Sequence, residues 1–121
     1  MFNFLRRGEP TVGTMSPREA IARQKNDGIV LIDVRDGSEV AASGMAKGAL
    51  HIPLSILAMK CDPRSGECPP ELQEGKPVVL YCASGMRSQR GAEALVGAGY
   101  EQVFNMGGFA GWVAAGGAIS R

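Results

Sequence analysis

Cys82-Ala83-Ser84-Gly85-Met86-Arg87-Ser88 is the stretch of this chain whose residue types and spacing suit covalent chemistry. The cysteine ends the apolar run Val78-Val79-Leu80-Tyr81, and an arginine and a serine follow shortly after it. A short loop running from a strand into a helix can curl so that its backbone N–H groups point inward, forming an anion-binding nest. A helix starting at about Ser88 adds free N–H groups and the positive end of its dipole. A thiol at the centre of such a nest has a lowered pKa, and the thiolate is the nucleophilic form. Gly85 permits a backbone angle that other residues resist. Arg87 brings a fixed positive charge and several donors to the rim. Without these neighbours Cys82 would read as an inert buried thiol, and Arg87 as a solvated surface charge.

The elements that position this loop follow from patterning. Ser16-Pro17-Arg18-Glu19 has the form of a capping box, with Pro17 at the first helical position. The helix it opens is predicted to run to about Asn26 and to stop at Asp27-Gly28. Ile29 to Val34 is apolar on nearly every successive position, the pattern of a central parallel strand buried on both faces. Arg35 to Ser38 reads as a turn before a short helical stretch from about Glu39, and Gly48 to Pro53 as a short strand closed by proline. Residues 61 to 77 read as irregular, Val78 to Tyr81 as a second buried strand. A helix from about Ser88 places Ala92, Leu95 and Val96 on one face, with Gly99 at its end. Val103 to Asn105 reads as a third strand, Gly107-Gly108 as a sharp turn, and Phe109 to Ala115 as a last helix. Strands alternating with helices give an α/β fold: a central, mostly parallel β-sheet flanked by helices on both faces. The working site of such a fold lies at the carboxyl ends of the strands, which points to the residues after Tyr81.

The bulk properties set limits. A length of 121 residues suits one domain. Residues 1–13 read as an N-terminal extension and 14–121 as the domain. An apolar share of 45% with 21% charged residues excludes a disordered chain. A net charge of +1 implies no general attraction to nucleic acid or acidic membranes. Three cysteines, an odd count, argue against a secreted disulfide framework. The apolar part of Met1 to Arg7 is too short for a signal-peptide core, and no run approaches a membrane span. That start reads as a frayed terminus, with membrane or partner contact as the alternative. The cytoplasm is therefore the expected location, and a monomer the default.

The Cys82 loop resembles the active loop of rhodanese-domain proteins. Ile32-Asp33-Val34-Arg35 with Glu39 resembles the first signature of that family, and Gly44 through Pro53 resembles its second. Gly107-Gly108-Phe109-Ala110-Gly111-Trp112 resembles the C-terminal signature. The resemblance covers about residues 14 to 117. It implies a single rhodanese-like domain and a ping-pong sulfur transfer. Cys82 thiolate would attack the outer sulfur of a donor such as thiosulfate. The resulting persulfide would be held by the amides of Ala83, Ser84, Gly85, Met86, Arg87 and Ser88. A thiophilic acceptor would then remove the sulfur: cyanide in an assay, a thiol or carrier protein in a cell. No metal or organic cofactor is implied. Asp33 is implied as a paired residue that pins the following loop, and Arg35 as bordering the pocket. The second signature usually has histidine and isoleucine where this chain has Met45 and Ala46.

Other readings compete. Cysteine phosphatases and arsenate reductases also use a cysteine nest, but phosphatases place five residues between cysteine and arginine, and only four stand between Cys82 and Arg87. A non-catalytic, regulatory rhodanese-type module is a second alternative, although such modules often lack the cysteine. A hydrolase pair of Cys82 with His51 is a third, but a lone histidine at a strand end reads more readily as structural. Trp112 reads as a packing residue. Cys61 and Cys68 have no standard zinc spacing and read as reduced loop thiols; a role in receiving sulfur from Cys82 is the alternative.

Overall fold

Residues that are apolar on successive positions have no polar face to turn to water, so their strands must be covered on both sides. The computed structural model describes residues 11–121 and shows how. In chain order the elements are β1 (Val12–Thr14), α1 (Pro17–Lys25), β2 (Val30–Asp33), α2 (Gly37–Ser43), β3 (Met45–Ala46), β4 (Leu50–His51) and α3 (Leu54–Lys60). A 3-10 turn (Pro70–Gln73) precedes β5 (Val78–Cys82), α4 (Met86–Gly97), β6 (Val103–Gly108), α5 (Phe109–Ala114) and β7 (Ile119–Ser120). The central sheet has the order β1-β6-β5-β2-β4, and all its pairings are parallel. Every residue of β2 and β5 is buried. Strands β3 and β7 form a separate antiparallel pair.

Alternation along β2 and β5 divides the core into two layers. Ile32, Leu80 and Cys82 pack on one face with Leu57 of α3 and Ala92 and Leu95 of α4. Leu31, Val79 and Tyr81 pack on the other with Ala20 of α1 and Trp112 of α5. Helix α4 lies close to the sheet because residue 91 is glycine: a Cβ there would stand 2.8 Å from Leu57 and 3.0 Å from Leu80. Trp112 is buried, and its indole Nε1 donates to the Ala118 carbonyl at 2.8 Å. Among the described residues, no helix is long and apolar enough to cross a membrane.

Several boundaries differ from the sequence expectation. Val12–Thr14 pair with Val103–Asn105, so the central sheet takes in Val12 and Gly13, two residues that the sequence reading assigns to the N-terminal extension. The expectations for Met1 to Arg7 lie outside the described residues. Ser16 caps α1 by accepting from the Glu19 amide at 3.1 Å. Glu19, expected to reach back to the cap, pairs instead with Arg23 one turn on. Helix α4 starts at Met86, not at about Ser88. Gly107 and Gly108 are not a turn. The register passes from Leu80↔Asn105 to Tyr81↔Gly107, leaving Met106 as a bulge, and the strand continues to Gly108. Gly107, at a φ of 103°, provides the backbone angle beside that bulge.

Candidate active site

Cys82 is the last residue of β5, and its side chain is fully buried. Gly85 adopts the left-handed conformation, with φ 99°, immediately before α4. That angle turns the loop back on the thiol. The Gly85 amide lies 3.0 Å from Cys82 Sγ and the Ser88 amide 3.4 Å from it. Ser88 Oγ is also at 3.4 Å. Burial works against the thiolate. Hydrogen bonds from the Ser88 hydroxyl and from the amides of Ser88, Gly85 and Ser84 outweigh it, so the pKa of Cys82 lies below that of an ordinary cysteine. The Ser88 hydroxyl has one hydrogen, and Asn105 Oδ1 lies nearer, at 2.7 Å. The backbone amides are therefore the donors that serve the sulfur in every arrangement.

Asn105 of β6 was not singled out by sequence reasoning. Its Nδ2 donates to the Gly85 carbonyl at 3.0 Å and to Gln89 Oε1 at 3.2 Å. Its Oδ1 accepts from the Gly107 amide and the Ser88 hydroxyl. One side chain thus ties the loop and the start of α4 to the neighbouring strand. The available signal was a polar residue inside an otherwise apolar strand segment. Gly108 contributes by its lack of a side chain, since a Cβ there would collide with the Ala83 carbonyl oxygen. Ala83, Ser84 and Met86 are exposed along the loop.

The other expected residues stand on β2 and just beyond it. Asp33 is fully buried and Arg35 nearly so. Arg35 Nε lies 3.1 Å from both Asp33 carboxylate oxygens, and Nη2 donates to Oδ2 at 2.8 Å. Nη1 donates to Ser43 Oγ and Nη2 to the Gly44 carbonyl. The guanidinium carbon sits 4.4 Å from the Phe109 ring centre. Arg35 is thus committed to the scaffold that holds α2 and the chain after it. His51 Nε2 lies 2.8 Å from the Arg35 carbonyl oxygen and belongs to the same scaffold. Asp33→Ala would leave a buried guanidinium without its counter-charge. The expected loss is about 3–5 kcal/mol of unfolding free energy. Urea denaturation checks this, and a loss below about 1 kcal/mol would place the pair among weak surface bridges.

Arg87, in the first turn of α4, gives both terminal nitrogens to Glu39 of α2. The distances are 2.7 Å for Nη1–Oε1 and 2.9 Å for Nη2–Oε2. Glu39 also accepts from the Asp36 amide at 3.0 Å. The Arg87 hydrogen bond, with that amide, lowers the Glu39 pKa to about 2, so the carboxylate stays charged at neutral pH.

A family model described as the rhodanese-like domain matches residues 16–115. The chain belongs to the rhodanese-like domain family. This rhodanese-like domain is 31% identical over 106 residues to the thiosulfate sulfurtransferase GlpE of Glaesserella parasuis, covering 87% of this chain and 90% of that protein. It is 32% identical over 85 residues to a sulfurtransferase of Allochromatium vinosum, covering 69% and 71%. Among solved structures, a Rhodopseudomonas palustris protein of unknown function, described as a possible tyrosine phosphatase, superposes with a TM-score of 0.80 at 34% identity, covering 90% of this chain and 85% of that one. The human single-domain sulfurtransferase superposes at 0.70 with 25% identity, covering 85% and 96%. Family and relatives support sulfurtransferase activity in general.

Met45 and Ala46, where this rhodanese-like domain departs from the second signature, form β3. Ala46 is fully buried in β3, and its amide donates to the Tyr81 hydroxyl at 2.9 Å. Cys61 and Cys68 are buried core residues. Burial pushes Cys61 up to about 11, so it is a neutral thiol at physiological pH. Tyr100 OH donates to the Cys61 carbonyl at 2.6 Å, and Cys68 Sγ lies 3.7 Å from the same oxygen.

Proposed function

We propose that this domain moves sulfane sulfur by a ping-pong route through a persulfide on Cys82. The observation that carries this reading is the convergence of the Gly85 and Ser88 amides on a sulfur whose pKa is lowered. Cys82 thiolate attacks the outer sulfur of a donor such as thiosulfate. The donor's S–S bond breaks, sulfite leaves with the electron pair, and Cys82 keeps a terminal sulfur that carries the negative charge. Amides of residues 83 to 88 are the groups suited to hold that charge. In the second half-reaction an acceptor attacks the terminal sulfur, and Cys82 departs as thiolate. Cyanide serves in an assay; a thiol or an acceptor protein suits a cell. A catalytic free thiol suits the reducing cytoplasm.

The R. palustris neighbour brings a phosphatase reading into view. Two features favour sulfur instead. The loop has four residues between Cys82 and Arg87, one fewer than cysteine phosphatases use. Both terminal nitrogens of Arg87 are on Glu39, whereas a phosphatase needs such nitrogens on phosphate. Hydrolysis of p-nitrophenyl phosphate at a rate matching sulfur transfer would reverse this preference.

The pH dependence of sulfur loading gives a direct check. The loading rate should rise with pH as the thiol ionises and level off once it is thiolate. A lowered pKa places that inflection below the one an unperturbed cysteine thiol would show. Rapid-quench measurement of sulfur loading between mildly acidic and alkaline pH tests it. An inflection at or above the free-cysteine value would mean that the amides do not activate the sulfur.

A further inference from the structure

We infer that Glu39 biases this site towards sulfur donors with a carbon-bearing, weakly charged leaving part, and against the compact thiosulfate dianion. The inference rests on the Cys82 persulfide reading and specifies its donor. Two independent observations carry it.

The first is charge. Arg87 is the cation of the active loop, and Glu39 takes both its terminal nitrogens in a bidentate pair. Asp36 adds a second negative charge that acts on the same guanidinium. Arg35 is already held by Asp33. A dianion arriving at this rim meets positive charge that is cancelled, and it must still shed water.

The second is shape and polarity. An open groove of about 510 Å³ runs beside the loop, between the start of α4 and the ends of β1 and β6. Thr14, Met86, Gln89, Asn105 and Met106 line it together with the loop backbone at Ser84 and Gly85, and among the described residues no ionisable side chain contributes. Met86 stands 73% exposed on its wall. An open groove of this size leaves room beside the loop for the carbon-bearing part of a donor, which a five-atom anion lacks. Only a donor with carbon gains by covering Met86.

The chemistry is unchanged in kind. With an organic thiosulfonate, Cys82 thiolate bonds to the outer sulfur and the S–S bond breaks. A sulfinate leaves with the electron pair, so two negative charges stand on each side. An organic persulfide gives the same Cys82 persulfide and releases a thiolate.

The test compares kcat/KM for benzenethiosulfonate and for thiosulfate on the full chain, with cyanide as acceptor. The wild type should favour benzenethiosulfonate by about tenfold or more, the ratio that covering one exposed methionine supplies. Glu39→Gln removes the competing carboxylate and keeps an oxygen for the Asp36 amide. It should raise kcat/KM for thiosulfate about tenfold, a gain that added salt erodes. Met86→Lys, at an exposed position that folding does not depend on, should move the ratio in the same direction. A wild-type ratio near one, or a ratio unmoved in both variants, overturns the inference while leaving the Cys82 reading in place. If neither donor loads sulfur on Cys82, the persulfide reading itself fails and takes this inference with it.

Discussion

Cys82→Ser is expected to abolish sulfur transfer while leaving the fold in place. The substitution exchanges sulfur for oxygen at a fully buried position. The Gly85 and Ser88 amides that reach Sγ can donate to a hydroxyl oxygen, so these two buried donors keep an acceptor. The expected stability change is therefore about 1 kcal/mol or less. The chemical loss is of another order. The nest lowers the pKa of a thiol into reach, but a serine hydroxyl stays protonated there and no histidine acts as its base. His51 is held by the Arg35 carbonyl. Loss of a nucleophile costs about 10³-fold or more. Thiosulfate:cyanide transfer, read beside thermal unfolding, checks both halves. Substantial residual transfer in a folded variant would remove Cys82 from the chemistry.

Gly85→Val is expected to have the second-largest effect. A β-branched residue at a φ of 99° is strained by about 1–3 kcal/mol. A Cβ at this position would also stand 3.3 Å from Gly107 Cα, tighter than an ordinary contact. The strain is relieved by turning the peptide, and that moves the amide now 3.0 Å from Sγ. Removing one preorganised donor of this type costs about 10²–10³ in rate. Transfer should therefore fall by about 10²-fold, and the inflection of the loading rate should move to higher pH, because the thiolate has lost a donor. Wild-type rate and an unshifted profile in this variant would show that the amide of residue 85 does not act on the sulfur.

The sequence and the structure agree where physical signals are local. Val30–Asp33 and Val78–Cys82 were legible because parallel strands covered on both faces need apolar residues at every position. The family was legible because its signatures lie in short segments. The members of the Cys82 loop were legible together because a glycine, an arginine and a helix start stand within a few residues of one thiol. Elements too short to show a period were missed: β1, β3 and β7 have three, two and two residues. Helix α3 was missed because it starts after Pro53 with no polar side chain as a cap. Gly107-Gly108 was misread because glycine signals a turn and a bulge alike, and only the register against β5 separates them.

The braces of the site lie beyond any local pattern. Arg87 meets a glutamate 48 residues earlier in the chain. Asn105 meets Gly85 across 20 residues. These contacts arise because parallel strands bring their carboxyl ends together. The sheet order, not the residue spacing, decides which side chains become neighbours there.

The most direct measurement is intact-protein mass spectrometry after incubation with thiosulfate or benzenethiosulfonate, on wild type and on Cys82→Ser. Persulfide chemistry on Cys82 predicts a gain of one sulfur atom in the wild type, reversed by cyanide and absent in the variant. No gain with either donor, or an equal gain in the variant, would contradict it.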